Sequence, residues 1–232
     1  MKALLLAAGR GQRLGNLTDS CPKPLLPVGK DTTLGLWLNE LCRYDFEEVL
    51  VNAHYLADQV EAFVLGHSCS SRTRVKREAR LLGTAGSIKS LLSDSWSEGV
   101  VVVHADNYFV GTIAPLIESF LARPTGIEIC MNTFICGEPS EVGVVEVDSC
   151  GVVRQIWEKD PNAPSRVANA AIFVISPSVV QSIGEEIDFS AEVLPKYLGR
   201  ILAVPLVGTL IDIGTPERLE RARRLAQEQE FK

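Results

Sequence analysis

The apolar positions change their period along the chain, and the change divides it in two. Residues 2–8 form a short apolar run, read as a strand, that breaks into Gly9-Arg10-Gly11-Gln12-Arg13. Between 33 and 44, Leu34, Trp37, Leu38 and Leu41 recur at helical spacing. The pattern then predicts a strand over 48–53, a helix over 56–65 and a short strand over 74–78. After Gly83-Thr84-Ala85-Gly86 a helix runs through Leu92. Residues 99–104 are Val-rich without alternation, as in a strand buried on both faces. Asp106 follows that strand, and a helix over 112–121 follows Asp106. Strands alternating with helices predict an α/β, Rossmann-like fold, with a mostly parallel mixed sheet flanked by helices.

After residue 125 the pattern changes. Strands over 126–133, 142–147, 152–157 and 168–175 are joined by short turns, and Asp148-Ser149-Cys150-Gly151 suits a hairpin. Helices are expected over 177–183 and 190–198, a strand over 201–204, and an amphipathic helix over 216–229. No repeat, low-complexity tract or linker interrupts the chain. The expectation is one domain over 1–232, with halves of about 1–125 and 126–232.

Ligands of such sheets bind beyond the carboxyl ends of the strands. The Gly9–Arg13 loop, the Gly83–Gly86 loop and Asp106 all fall at such ends. A glycine loop leaves backbone N–H groups free to face an anion and lets the backbone come close to it. Arg13 and Lys23 add cations there, so the loop is read as a site for a phosphate-rich ligand. The glycine spacing matches neither the dinucleotide fingerprint nor the P-loop, because Leu14 stands where the third glycine belongs and no Gly-Lys-Ser/Thr follows. Asp106, at the end of a buried strand, suits Mg²⁺ or the cap of a following helix. Asp212, between Ile211 and Ile213, is not explained by capping, since Thr215 and Pro216 already start the next helix. A carboxylate so placed needs a partner, and a metal is a natural one.

Composition narrows the setting. The chain has 232 residues, 46% of them hydrophobic, and a net charge of −6. That charge argues against nucleic acid or an anionic membrane as the main partner. No run approaches the roughly 20 apolar residues of a membrane span, and the run after Lys2 is too short for a signal peptide core, so a cytoplasmic protein is expected. The six cysteines form no CxxC pair and read as reduced thiols, and the dispersed histidines argue against structural zinc. The sequence does not read the oligomeric state, and a homo-oligomer is compatible with it.

Arg13-Leu14, Thr18 and Pro22-Lys23-Pro24-Leu25, following the glycine loop, resemble the signature of the sugar-phosphate nucleotidyltransferases. The resemblance implies a nucleotide-diphospho-sugar transferase fold, and transfer of a nucleotidyl group from a nucleoside triphosphate to a sugar 1-phosphate with release of pyrophosphate. It implies one Mg²⁺ held by Asp106 and Asp212, with Ala105 where the family usually has glycine. Arg13 would steady the pyrophosphate, Lys23 the nucleotide phosphates and Lys159 the attacking phosphate. Leu6, Ala7, Ala8, Gly9, Gly11, Glu78, Gly83 and Thr84 would bind the nucleotide. Gly143, Glu158 and Asn169 would bind the sugar, in segments resembling YGVV, FxEKP and NAGIY but carrying Val142, Asp160 and Ala171 as departures. The first half would hold the nucleotide and the second the sugar. The ending Ile-Asp-Ile-Gly-Thr-Pro-Glu looks most like guanylyltransferases of mannose or heptose 1-phosphate. Uridylyl- or thymidylyltransferases, including those of amino sugars, and a non-catalytic sugar-nucleotide-binding module are the alternatives. With the chain stopping at Lys232, no left-handed β-helix acetyltransferase domain is expected. A glycosyltransferase lacks its Asp-x-Asp motif at Asp106-Asn107-Tyr108.

Overall fold

Hydrophobic runs and turn residues set the elements, in this order along the chain. The computed structural model describes residues 1–91 and 98–230. It begins with β1 (Lys2–Leu6), 3-10 turns over Gln12–Thr18 and Lys23–Leu25, and the short strands β2 (Pro27–Val28) and β3 (Asp31–Thr32). Then come α1 (Thr33–Leu41), β4 (Glu48–Ala53), α2 (Ala57–Gly66), β5 (Thr73–Arg77), α3 (Gly83–Leu91), β6 (Val100–His104), β7 (Asn107–Thr112) and α4 (Ala114–Leu121). The remainder is β8 (Ile129–Ile135), β9 (Gly143–Val147), β10 (Val153–Glu158), β11 (Val167–Ile175), α5 (Pro177–Ser182), β12 (Ile201–Pro205), β13 (Val207–Asp212) and α6 (Pro216–Glu230). Leu92, the expected end of α3, lies outside the described residues.

Contacts gather the chain into two units, and not at residue 125. One contains Lys2–Leu81, His104–Gly111 and the described residues from Gly208 on. In it β1, β4 and β5 pair in parallel, with Leu6 opposite Asn52 and Ala53 opposite Arg77. The strand β7 pairs with β13. Ile211 and Ile213 are buried with Leu14, Leu26, Val28, Tyr108 and Leu219, so alternation along the strand turns Asp212 to the other side. Trp37 stacks on Phe109 with ring centroids 4.6 Å apart, and its indole N–H donates to the Asn107 carbonyl at 2.9 Å. That buried bond fixes the backbone next to Asp106.

The other unit contains Met1, Leu82–Val103 and Thr112–Val207. Here β11 pairs antiparallel with β6, β8 and β9, and β12 runs parallel to β8. The hairpin expected at 148–151 joins β9 to β10. Its Asp148 carboxylate accepts from the backbone N–H groups of Cys150 and Val152.

Three expectations are corrected. Residues 107–112 are a strand, not a loop and helix start, so Asp106 caps no helix. The helix over 190–198 is instead a π-turn, Phe189–Val193, and a 3-10 turn, Leu194–Tyr197. Cys42 and Cys69 form a disulfide rather than two thiols, while Cys21, Cys130, Cys136 and Cys150 are free.

Candidate active site

Four of the expected site residues meet within the first unit. The loop after β1 turns at Gly11, which is left-handed with φ +66°. A Cβ there would stand 3.0 Å from Lys23 Cβ and 3.1 Å from Thr18 Cγ2, so the glycine admits the lysine stem as well as the turn. Gly9 differs: nothing of the protein lies within 4 Å of the place its Cβ would occupy. That open space beside the backbone is where a ligand could approach. Thr18 donates to the Gly11 and Gly15 carbonyls, and Tyr55 Oη donates to the Thr18 and Asp19 carbonyls. The loop carrying Arg13 is therefore tied to the end of β4.

Lys23 occupies a 3-10 turn between two prolines and is only 5% exposed. Its Nζ donates to Asp106 Oδ2 at 2.7 Å and to Asp212 Oδ1 at 2.8 Å. Burial alone would lower the Lys23 pKa, but the charges of Asp106 and Asp212 outweigh it and hold it above the ordinary lysine value. Burial likewise raises the Asp106 pKa, yet Lys23 and His104 bring it below the ordinary carboxylate value. Asp212 is also approached by Arg218 Nη1 at 3.5 Å and Arg13 Nη2 at 3.8 Å. A Cβ on Gly214 would lie 2.8 Å from Arg13 Nη2 and 3.0 Å from Asp212 Oδ1. The glycine after Asp212 thus keeps room for the arginine–carboxylate contact.

These groups border an open cavity of about 710 Å³, lined also by Arg10, Gln12, His54, Tyr55 and Leu81. Its lining carries the cations Arg10, Arg13 and Lys23 and the carboxylate of Asp106, with Asp212 behind Lys23, a combination suited to a polyphosphate with a divalent ion. Among the described residues no group of three or more His, Cys, Asp or Glu gathers to hold a metal by itself. Two carboxylates are nonetheless the donor set by which proteins hold Mg²⁺, the remaining ligands being water and substrate phosphate. The residues fit the ion.

At the end of β1, where the nucleotide is expected, the Leu6 carbonyl accepts from Ala105 N–H at 3.0 Å, and Ala7 N–H donates to Asn52 Oδ1 at 2.6 Å. Asn52 in turn donates through Nδ2 to Glu78 Oε1 at 2.8 Å. Ala8 is buried with Ala7. Asn52 was not singled out in the sequence. An asparagine among Val49, Leu50, Val51 and Ala53 was the available signal, by the argument applied to Asp212.

The other expected residues lie in the second unit. Gly83 has φ +74°, and a Cβ there would collide with Ile187, 2.3 Å from its carbonyl oxygen. Thr84 Oγ1 accepts from Phe189 N–H, and Ala85 N–H donates to the Ile187 carbonyl. Internal packing therefore already requires a glycine at 83. Gly143 and Glu158 are cross-strand partners, and a Cβ on Gly143 would stand 2.7 Å from Glu158 Oε2. Glu158 titrates above the ordinary glutamate value: desolvation raises it, Lys159 lowers it and Asp188 raises it. Lys159 is left-handed, φ +52°, with its N–H on the Val142 carbonyl. Asn169 Oδ1 accepts from Ala171 N–H at 2.8 Å across a bulge in β11 where Ala171 has φ +54°. The sequence missed Arg10, His54, Tyr55 and Arg218 at the first unit's cavity and carboxylates.

Comparison with known proteins identifies the family and the fold. A family model described as nucleotidyl transferase matches residues 2–229. A mannose-1-phosphate guanylyltransferase catalytic subunit beta from Drosophila pseudoobscura pseudoobscura is 31% identical over 93% of the chain and 60% of its own length. A UTP–glucose-1-phosphate uridylyltransferase from Synechocystis sp. is 26% identical over 92% of the chain and 60% of its own. The chain thus spans about 60% of the length of these relatives. The crystal structure of HddC from Yersinia pseudotuberculosis complexed with GMP-PN superposes with a TM-score of 0.80 at 23% identity, covering 100% of this chain and 99% of that one. That likeness shows the fold, a sheet-and-helix nucleotidyltransferase architecture. No helix among the described residues is long and apolar enough to cross a membrane.

Proposed function

The chain belongs to the nucleotidyl transferase family, and from that premise we propose that it transfers a nucleotidyl group from a nucleoside triphosphate to a sugar 1-phosphate, releasing pyrophosphate. The observation that carries the reading is Lys23, buried yet bonded to both Asp106 and Asp212 beside a cationic cavity. A core has no use for such a cluster, because burying the Lys23 ammonium costs more than apolar packing would, and its two half-buried carboxylate partners open onto solvent. A site for polyphosphate does.

The attacking oxygen of a sugar 1-phosphate is already anionic, so no general base is needed. Catalysis rests on alignment and on neutralising charge. Arg13 and Lys23 take the nucleotide phosphates, with Arg13 on the departing pyrophosphate, and Lys159 orients the attacking phosphate. Backbone along Leu6, Ala7, Ala8, Gly9 and Gly11, with Glu78, Gly83 and Thr84, receives the nucleoside. Gly143, Glu158 and Asn169 receive the sugar. Asp106 and Asp212 would hold Mg²⁺, which when bound supplies charge neutralisation across the phosphates. We place the protein in the cytoplasm.

For the nucleotide, GTP with mannose or heptose 1-phosphate is the favoured pair, and UTP or dTTP the alternative. The 31% identity with a mannose-1-phosphate guanylyltransferase catalytic subunit beta supports the favoured pair. Thermal melts with each of the four NTPs and Mg²⁺ test this. GTP is expected to raise the melting temperature most, and a larger shift with UTP or dTTP would reverse the assignment.

A further inference from the structure

We propose that Lys23 is a tethered counter-cation. In the free protein its ammonium holds the seat between Asp106 and Asp212, and it leaves that seat to a divalent ion only when nucleotide phosphates offer it another anion. The proposal rests on the reading of Asp106 and Asp212 as metal carboxylates.

Three observations carry it. Lys23 Nζ sits on one oxygen of each carboxylate, Asp106 Oδ2 and Asp212 Oδ1, at 2.7 and 2.8 Å. A small divalent ion needs such oxygens at about 2.0–2.1 Å in octahedral directions, so ammonium and ion compete for the same lone pairs. Second, the stem is held: Lys23 is 5% exposed, and its Cβ packs where a side chain at Gly11 would be. The ammonium can swing about that anchor but cannot drift away. Third, the local charge is wrong for a lone divalent ion. Two carboxylates face Lys23, Arg13 and Arg218, which is three positive charges against two negative, one in excess. A triphosphate reverses that sign and gives Lys23 a new partner. Ion and nucleotide therefore bind together, each tightening the other, rather than the ion binding first.

The test uses the full-length protein and Mn²⁺ as a paramagnetic, calorimetrically measurable probe. Lys23→Met keeps the stem and removes the charge. It is expected to bind Mn²⁺ alone at least about tenfold tighter than wild type, the size of an ordinary coupling between sites. Equal or weaker affinity overturns the proposal. Because a lone carboxylate pair could unfold that variant, wild type carries a second arm. Its Mn²⁺ affinity is expected to rise at least about tenfold with saturating tripolyphosphate, beyond Mn²⁺–tripolyphosphate association in buffer. Wild type that binds Mn²⁺ equally well with and without tripolyphosphate also overturns it. Asp106→Asn and Asp212→Asn separate the two levels. If Mn²⁺ binding survives in both, the metal-site reading fails and takes the proposal with it. If it needs both carboxylates but is indifferent to Lys23, the counter-cation idea alone fails.

Discussion

Asn52 offers a direct energetic test of the buried relay that joins Ala7 to Glu78. It is 2% exposed, takes the Ala7 N–H at 2.6 Å and gives Nδ2 to Glu78 at 2.8 Å. In Asn52→Ala the buried Ala7 N–H loses that partner, at about 1–3 kcal/mol, and the Glu78 carboxylate loses a charge-assisted bond of about 1.5–3 kcal/mol. A central total of about 4 kcal/mol lowers the melting temperature by about 8–16 °C for a chain of this length. Asn52→Asp separates packing from polarity. It keeps an acceptor for Ala7 but sets a second carboxylate against Glu78, so it should destabilise more at pH 7 than near pH 4. Scanning calorimetry at both pH values reads these effects, and nucleotide titration should show weaker binding in whichever variant stays folded. A melting temperature of Asn52→Ala within about 2 °C of wild type would refute the reasoning, because a buried relay cannot be cut so cheaply.

Other outcomes follow from single contacts. Gly214→Ala pushes a methyl group between Arg13 and Asp212. It should leave the melting temperature nearly unchanged while lowering kcat/KM by about 10²-fold, the cost of misplacing charged groups by about an ångström. Ala171→Gly relieves about 1–2 kcal/mol of left-handed strain and costs about 0.5–1 kcal/mol of chain entropy, so urea melts should show a gain of about 0.5–1 kcal/mol. Glu128 accepts from Ser176, Ser178 and Arg200, which together hold its pKa below 4.5. A depressed pKa stabilises the fold above the unfolded value and loses that contribution as pH falls through the folded one. Glu128→Gln should therefore be less stable than wild type at pH 7, and the gap should close below about pH 4.

The sequence carried the regular elements well and the irregular ones poorly, for physical reasons. Residues 48–53 were bounded correctly because polar residues stop an apolar run at one end and a turn stops it at the other. The strand Asn107–Thr112 was missed because Asn107 and Gly111 weaken its strand signal. It is held by pairing with Val207–Asp212, a hundred residues away. The same long-range pairing returns the chain from Gly208 onward to the first unit, which a cut at residue 125 could not anticipate. The segment Phe189–Tyr197 has helical periodicity, yet it forms a π-turn and a 3-10 turn, preceded by residues 187–189 that are anchored on the start of α3.

The site shows the same division. Asp106 and Asp212 drew notice as carboxylates at the end of or within an apolar strand, and Arg13 and Lys23 as cations following a glycine loop. Their mutual distances were not readable, and neither was the fact that Lys23 bridges both carboxylates. Asn52 escaped because its partners include a backbone N–H 45 residues before it and a glutamate 26 residues on. Gly83 shows the reverse: its motif suggested a ligand, whereas Ile187 alone requires the glycine. The Cys42–Cys69 pairing joins the end of α1 to the turn before β5, positions that spacing does not relate.

Pyrophosphate release addresses the central claim most directly. Purified protein would be mixed with Mg²⁺, each of the four NTPs and a panel of sugar 1-phosphates that includes those of mannose, heptose, glucose and amino sugars. The account expects sugar-dependent pyrophosphate release with a stoichiometric nucleoside-diphosphate sugar, and a drop of about 10²–10³-fold in Asp106→Ala. Absence of release across the whole panel, or release that Asp106→Ala leaves intact, would contradict it.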